Sequence, residues 1–405
     1  MSDYSLLSIK LTDSLDKKTK KQNGIYFTPP KTVEMILNKL SSYFSSFKNI
    51  LEPSCGSGEF ISSLVKISDS VKIDGIEFNS KIYDSIKSLF PENVSIINTD
   101  FINYECNKKY NLIIGNPPYY VMKKKCVDKK YYQYFTGRPN IFILFIIKCL
   151  SLLETDGILS FVLPKSFLNC SYYDKTRKLI NKNFQILDII QCNDKYIETQ
   201  QDTIVLIIKN VSKKESIDNN RWILKISEFI IFGTCDKIQQ LNKIYLNSTN
   251  LKNYGFKVIV GNVVWNQCKS ILTTDSSKTT LIYSSDIKTN KFKMVNYKNP
   301  EKKNWIEKRG IKKPLLLVNR GYGVGKYFFN YCLITGEFEY LVENHLICIV
   351  PIKSISDEEL LIKYNKIIES FKNPKTLEFI KMYFGNNAIN TVELAEILPI
   401  FIDCK

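Results

Sequence analysis

Asn111-Leu112-Ile113-Ile114-Gly115-Asn116-Pro117-Pro118-Tyr119-Tyr120 runs an apolar strand straight into a rigid turn. Leu112 to Ile114 have the composition of a buried strand, Gly115 lets another group approach the backbone, and two successive prolines fix φ and remove two N–H donors. What remains is a corner rich in acceptors. Asn116 offers a side-chain carbonyl, Pro117 a main-chain carbonyl and Tyr119 a flat apolar face. Together they suit a planar NH₂ group carried on a stacked ring. An ordinary turn after a buried strand uses the same residue types, so the neighbouring segments decide between the two.

Outward from this corner, the first half of the chain alternates apolar strand runs with helical patterns. The strands are expected at residues 49–52, 72–78, 94–100, 111–115, 158–163, 186–191 and 203–209, and the helices at 57–66, 80–89, 141–153 and 174–181. Such alternation predicts an α/β fold built on a seven-stranded, mainly parallel sheet with helices on both faces. Ligands in these sheets sit beyond the carboxyl ends of the strands. Glu52 and Cys55 follow the first strand, Glu77 and Phe78 close the second, Asp100 the third, and Asn116 follows the fourth.

The first strand turns through Glu52-Pro53-Ser54-Cys55-Gly56-Ser57-Gly58-Glu59-Phe60 into a helix. Gly56 and Gly58 let the backbone approach a nucleoside. The third position of the dinucleotide fingerprint is Ile61, however, and no Gly-Lys-Ser/Thr follows, so a pyrophosphate is not the favoured ligand. No Lys or Arg lies between Asn49 and Leu64, while Glu52 and Glu59 do, which suits a cationic ligand. S-adenosylmethionine fits, with a sulfonium, an ammonium and no phosphate. Glu77 is placed to accept both ribose hydroxyls, Asp100 to accept from the adenine amino group, and Phe101 to stack on the ring.

The chain has 405 residues, 44% hydrophobic and 24% charged, which predicts two soluble globular domains. Its longest apolar run, 141–153, is interrupted by Lys148 and is too short to span a bilayer. No secretory signal is visible at Met1-Ser2-Asp3-Tyr4-Ser5. Eleven cysteines without a C-x-x-C pair fit a reduced, intracellular compartment. A single histidine, His345, leaves a Cys/His zinc site or a Ser/His/Asp triad without its residues, and no metal is expected. The formal charge of +17 points to a partner bearing many negative charges. An A/T-rich genome also enriches Lys, Asn and Ile, so placement matters. One cluster, Lys123-Lys124-Lys125 with Lys129, Lys130, Tyr131, Tyr132, Tyr134 and Arg138, follows the Asn-Pro-Pro-Tyr turn directly. A second runs from Lys291 to Arg320. Either a solvated loop or nucleic-acid contact accounts for such runs; interleaved aromatics favour nucleic acid for the first.

With these segments in place the chain resembles the amino-methyltransferases of DNA, in the arrangement that puts the cofactor loop first, the catalytic motif next and the target-recognition domain last. Tyr26-Phe27-Thr28-Pro29-Pro30 with Val33 and Met35 is similar to that family's N-terminal motif, whose Thr reaches the methionine part of the cofactor. Gly137-Arg138-Pro139-Asn140-Ile141-Phe142 and Gly157-Ile158-Leu159-Ser160-Phe161-Val162-Leu163-Pro164 follow its pattern, and Phe145 aligns with an aromatic near the cofactor adenine. Tyr196, in Lys195-Tyr196-Ile197-Glu198-Thr199, is the counterpart of an aromatic that stacks on the extruded base, a position where many relatives carry Phe. The resemblance implies a Rossmann-like methyltransferase sheet and S-adenosylmethionine as cofactor, with S-adenosylhomocysteine as product. It further implies base flipping in double-stranded DNA, and a cognate restriction endonuclease encoded separately as a further partner. The Asn-Pro-Pro-Tyr form implies adenine N6 over cytosine N4 as target. Asn116, Pro117 and Tyr119 then form the catalytic corner, and Thr28, Glu52, Ser54, Cys55, Gly56, Gly58, Glu77, Phe78, Asp100, Phe101, Asn116, Pro118 and Phe145 the cofactor site.

A polar, turn-prone stretch at 211–220 predicts the domain border, with the catalytic domain over 1–210 and an α+β recognition domain over 211–405. Its clearest strands are expected at 258–265, 315–319, 327–333 and 346–350. The segments around Trp265, and Asn319-Arg320-Gly321-Tyr322-Gly323-Val324-Gly325-Lys326-Tyr327, resemble the family's recognition domain. The second is either a flexible hairpin or a loop reading phosphate or base edges, and Asn386-Asn387-Ala388 is as ambiguous. Lys123, Lys124, Lys125, Arg138, Trp265, Arg320 and Tyr322 are the candidate DNA contacts. The alternative keeps the cofactor and changes the substrate, since RNA adenine and protein glutamine N-methyltransferases use the same or related turns. A large basic domain after the catalytic one favours nucleic acid.

Overall fold

The computed structural model describes residues 4–194, 196–198, 201–321, 328–383 and 389–402. The chain divides into two compact units, Met1–Gln239 and Gln240–Lys405. In the first, helices α1 (Leu6–Ser14), α2 (Lys17–Asn23) and α3 (Pro30–Leu40) precede the sheet. Ser5 and Asp16 cap the first two through their side chains, and Gly24 ends α2 at φ 63°. Then follow β1 (Asn49–Glu52), α4 (Glu59–Leu64), β2 (Lys72–Glu77), α5 (Ser80–Ile86), β3 (Val94–Asn98), β4 (Tyr110–Gly115), α6 (Ile141–Leu152), β5 (Leu153–Pro164), α7 (Asp174–Asn183), β6 (Gln185–Gln191) and β7 (Thr203–Lys209).

These seven strands form one sheet in the order β3-β2-β1-β4-β5-β7-β6, parallel except for β7, which runs antiparallel to β5 and β6. The strand order reverses between β1 and β4, and a crevice at the carboxyl ends there is where such sheets take ligands. Both faces are covered, which is why the strands read as near-continuous apolar runs; Ile50, Leu112, Ile113, Ile114 and Val205 are fully buried. Helix α6 buries nine of its twelve residues, so its sequence has no polar stripe. Two boundaries differ from the periodicity. Leu153 opens β5 opposite Tyr110 and does not close the helix. Gly58, at φ 78°, holds the start of α4 back to Glu59.

The polar stretch at 211–220 does not divide the units. Beyond it β8 (Ile223–Ile226) and β9 (Phe229–Phe232) form a hairpin that returns to α7. Arg177, fully buried on α7, donates from Nε to Ile230 O at 2.6 Å and from Nη1 to Phe167 O at 2.9 Å and Cys170 O at 2.8 Å. Asp174, one turn earlier, accepts from Ile230 N at 2.8 Å. These long-range bonds carry the first unit past 210, a boundary no local composition signal marks.

The second unit begins within α8 (Cys235–Tyr245). Strands β10 (Phe256–Val260), β11 (Leu272–Thr273), β12 (Thr279–Ile282), β13 (Ile287–Lys288), β14 (Lys291–Phe292), β15 (Trp305–Ile306), β16 (Leu315–Asn319), β17 (Tyr331–Ile334), β18 (Tyr340–Val342) and β19 (Leu346–Pro351) follow, then α9 (Asp357–Lys372) and α10 (Pro374–Tyr383). Two four-stranded sheets, β10-β19-β16-β17 and β11-β15-β12-β18, make it α+β. The strand expected over 258–265 ends at Val260, and Trp265 lies in a short 3₁₀ turn, Trp265–Gln267.

Replacing Arg177 with Met should lower the unfolding free energy by about 3–5 kcal/mol, because Asp174 and three carbonyls lose a buried cationic partner. Urea unfolding measures this. A loss below about 1 kcal/mol, the range of an exposed ion pair, would mean that the β8–β9 hairpin is held by packing alone.

Candidate active site

The ends of β1, β2 and β4 and the turn after β3 converge on a cavity of about 290 Å³. Ser54, Gly56, Glu77, Phe78, Asp100, Phe101, Asn116, Pro118 and Phe145 line it. Glu77 is buried and its carboxylate is oriented by main-chain donors: Gly56 N reaches Oε2 at 2.9 Å and Asn79 N reaches Oε1 at 2.7 Å. Each oxygen keeps a second lone-pair direction for a ligand hydroxyl. Burial, outweighing those bonds, pushes its pKa from the ordinary 4.5 up to about 7.

Glu52 is buried at the end of β1, and its Oε2 has no hydrogen-bond partner. Burial, with the carboxylates of Glu77 and Glu59 nearby, holds its pKa well above the usual range. This orphaned acid is held toward its neutral form and directly precedes Pro53 and Ser54, which line the cavity; with Glu77 and Asp100 on the wall as acceptors, the site suits a donor-rich ligand, and S-adenosylmethionine has that character. Asp100 spends part of its capacity locally, accepting from Ile102 N at 2.9 Å and Asn103 Nδ2 at 2.7 Å. Phe101 and Phe145 lie 5.0 Å apart, centroid to centroid. Glu52, Cys55, Gly58, Thr28, Pro117 and Tyr119 are not on the cavity wall. Cys55 packs into the core, where its sulfur would lie 3.3 Å from a Cβ on Gly75. A Cβ on Gly58 would strike the Phe90 ring at 2.5 Å, so this glycine serves close packing and the helix turn. Thr28 is buried among other residues.

Asn116 sits on the cavity wall with its amide fixed from both sides. Nδ2 donates to Tyr26 O at 3.3 Å, and Oδ1 accepts from the Tyr119 hydroxyl. The acceptor beside Tyr119 is therefore not open: the tyrosine's own hydroxyl occupies it. Its hydroxyl also lies 2.7 Å from Val162 O, and its ring meets Phe142 edge-on at 6.0 Å. Pro117 is buried and Ser54 Oγ donates to the Asn116 carbonyl at 3.2 Å. Tyr196 is brought to this corner, 8% exposed, with its hydroxyl near Asn116 and Thr203. Burial raises the phenol pKa of both tyrosines well above its ordinary range.

The basic segment has two faces. Lys123, Lys124, Lys125 and Arg138 are exposed, with Lys124 Nζ 4.7 Å from the Tyr132 ring centroid. Met122, Val127 and Tyr131 of the same segment wall the cavity. In the second unit Trp265 is half-buried with Lys269 over its ring at 5.8 Å, and Arg320 is exposed. Tyr322, residues 323–327 and Asn386-Asn387-Ala388 lie outside the described residues. His345 pairs with buried Glu343 at 2.6 Å. Among the described residues no group of three His, Cys, Asp or Glu side chains is gathered for a metal, and no helix is long and apolar enough to cross a membrane.

Sequence reasoning missed the N-terminal wall, Asn23-Gly24-Ile25. A Cβ on Gly24 would lie 2.7 Å from Tyr119 N, so only glycine lets this segment seat against the Asn-Pro-Pro-Tyr turn. The Asn-Gly pair after a lysine-rich helix was the available signal.

Residues 32–197, from α3 to the Tyr196 segment, match the family described as Eco57I restriction-modification methylase. Over 417 aligned positions the chain is 29% identical to Modification methylase CviBIII of Paramecium bursaria Chlorella virus NC1A, covering 99% of this chain and 100% of that one. It is 26% identical to Type II methyltransferase M.CvrRI of Paramecium bursaria Chlorella virus XZ-6E, covering 97% and 98%. The DrdV–DNA complex, seen by cryo-electron microscopy, shares the fold at a TM-score of 0.54 over 93% of this chain and 55% of that one, with 13% identity. In its sheet, its family match over residues 32–197 and its relatives, the chain is similar to methyltransferases of the restriction-modification kind.

Because the folded-state pKa of Glu77 lies above its unfolded value, its contribution to ligand-free stability is fully present below about pH 4.5 and is lost as pH rises through about 7. Glu77→Gln should remove that part of the pH dependence. Thermal melts of both proteins from pH 5 to 8 test it; parallel curves would place the titration elsewhere.

Proposed function

We propose that the chain is a site-specific DNA methyltransferase that moves a methyl group from S-adenosylmethionine to N6 of an adenine extruded from double-stranded DNA. The observation that carries this reading is Asn116, held at the end of β4 on the wall of a cavity lined by Glu77 and Asp100, with an acceptor oxygen already engaged by a donor. The relatives that span nearly all of the chain carry the names of modification enzymes, which supports DNA as the substrate.

S-adenosylmethionine supplies an electrophilic methyl on a sulfonium. Glu77 would hold the ribose hydroxyls and Asp100 the adenine amino group, with Phe101 and Phe145 beside the ring and Ser54 on the loop side; Glu52 and Thr28 would support the site from behind the wall. Asn116 Oδ1 and the Pro117 carbonyl accept the two N6 hydrogens, stabilise the positive charge that develops on nitrogen, and aim its lone pair. No strong base is needed, because the methylated ammonium is acidic. Extruding the base costs a few kcal/mol. Stacking on Tyr119 and Tyr196 offsets this at roughly 1–3 kcal/mol per contact. Lys123, Lys124, Lys125 and Arg138 hold phosphates, while Trp265 and Arg320 belong to the recognition unit. The catalytic domain of this reading covers 1–239.

Single-molecule sequencing of DNA from cells expressing the chain should show N6-methyladenine in one sequence context, absent for Asn116→Ala, whose cofactor affinity stays near wild type. N4-methylcytosine in its place would sink the adenine assignment. Tyr119→Phe should retain activity, since the ring survives and Oδ1 is released, whereas Tyr119→Ala should lose most of it.

Replacing Lys123, Lys124 and Lys125 with Ala should weaken binding to all duplexes and flatten its salt dependence. Arg320→Ala should cost about 1–3 kcal/mol on the cognate site and relax one position. Competition between cognate and scrambled duplexes across a salt series separates the two; equal losses for Arg320→Ala would make it a backbone contact.

A further inference from the structure

Lys148 is the one charged residue of the apolar helix α6, and nothing in the reaction above uses it. Half-buried, its ammonium has three N–H donors, and all three find main-chain carbonyls: those of Phe101, Ile102 (3.2 Å) and Tyr104. These carbonyls close the short turn that follows β3. The opposite end of that turn is held by Asp100, whose Oδ1 accepts from Ile102 N and whose carbonyl accepts from Asn103 N at 3.1 Å and Tyr104 N at 2.8 Å. An anion thus sits at the amino end and a cation at the carboxyl end, each matching the local peptide dipoles. The ammonium also lies 4.7 Å from the centroid of the Phe101 ring. Asp100, Phe101, Ile102 and Asn103 all line the cavity, whereas Lys148 does not.

We infer that Lys148 is a positioning residue for the nucleobase end of the cofactor: by gripping the carbonyls of Phe101, Ile102 and Tyr104 it fixes the turn that presents Asp100 and Phe101 to the adenine. The inference rests on the S-adenosylmethionine reading above. A purely structural lysine could have been tied to the sheet, to solvent or to a carboxylate. This one is spent on the turn that carries the ring and the acid. Its removal leaves the turn without its carboxyl-end cap, so Asp100 no longer points its free lone pairs at one fixed place.

The test compares wild type with Lys148→Arg, Lys148→Gln and Lys148→Met by calorimetry and steady-state kinetics. Lys148→Met should weaken S-adenosylmethionine binding by about tenfold, with Lys148→Gln between and Lys148→Arg close to wild type, as donors are lost in that order. The loss should fall on KM for the cofactor more than on kcat. A second readout is adenine recognition: wild type should prefer S-adenosylhomocysteine over S-inosylhomocysteine, which lacks the amino group, and Lys148→Met should narrow that preference. Unchanged affinity and preference in Lys148→Met overturn the inference, as does a loss shared equally by KM and kcat. If Lys148→Met does not fold, equal affinity and preference in Lys148→Gln, Lys148→Arg and wild type overturn it instead. Failure of wild type itself to bind S-adenosylmethionine would refute the underlying reading, an outcome distinct from indifferent variants.

Discussion

Two carboxylates buried without a cation set the character of this molecule. Glu52 and Glu77 stand at the ends of neighbouring strands, each desolvated, and Glu52 is raised further by Glu77. A structural pair would ordinarily be neutralised by Lys or Arg, because an unpaired buried charge is expensive. Here the loop from β1 to α4 has no basic residue, although the chain carries a net charge of +17. Lys123 to Lys125 carry positive charge on an exposed segment, while burial pushes both acids toward their neutral forms. On the proposed function the exposed lysines would meet a polyanion, and Glu77 and Asp100 on the cavity wall would meet hydrogen-bond donors of the cofactor. On the same reading, hydroxyl donors of a bound cofactor would offset part of the desolvation cost of Glu77.

The N-terminal helices hold this arrangement in place. Ser8 on α1 donates to Glu59 Oε1 at 2.5 Å, and its hydroxyl lies 2.8 Å from Ser57 Oγ, tying the loop after β1. Lys20 on α2 is buried and pairs with Glu198 at 2.7 Å, and Thr32 on α3 donates to Asp194 Oδ2 at 2.7 Å. Both ties fasten the segment that carries Tyr196. Gly24 then seats against the backbone of Tyr119. Three helices of modest individual stability therefore connect the two loops that meet at Asn116. Glu59, which the sequence offers as a second acid for the ligand, is committed to α1.

The sheet was legible because parallel strands covered on both faces must be apolar throughout, and the run Leu112, Ile113 and Ile114, fully buried, leaves no other reading. The strand-end acids were legible because a charge directly after such a run has few structural uses. Cys55 and Gly58 escape a sequence reading since a loop residue's direction is tertiary: one turns into the core, the other packs on Phe90. The unit border was hidden because Arg177 reaches Ile230 across 53 positions, and no composition shift records that bond. Lys148 reads in sequence as an interruption of an apolar helix; only the carbonyls it meets give it a purpose.

The Tyr119 hydroxyl bears on how a base would enter the corner. In the observed arrangement it donates to the oxygen of Asn116 that, on the proposed reaction, accepts an N6 hydrogen. Left without any donor in this partly buried corner, Oδ1 would be an unpaired acceptor, at a cost of about 1–3 kcal/mol. An incoming amino group replaces one donor with another, so the acceptor is never left bare, and the exchange is close to neutral in hydrogen bonds. The tyrosine, released from Asn116, keeps Val162 O at 2.7 Å as a second acceptor for its hydroxyl. On the proposed reaction a single phenol would thus guard the Asn116 amide in the resting protein and yield it to the base without an orphaned group on either side.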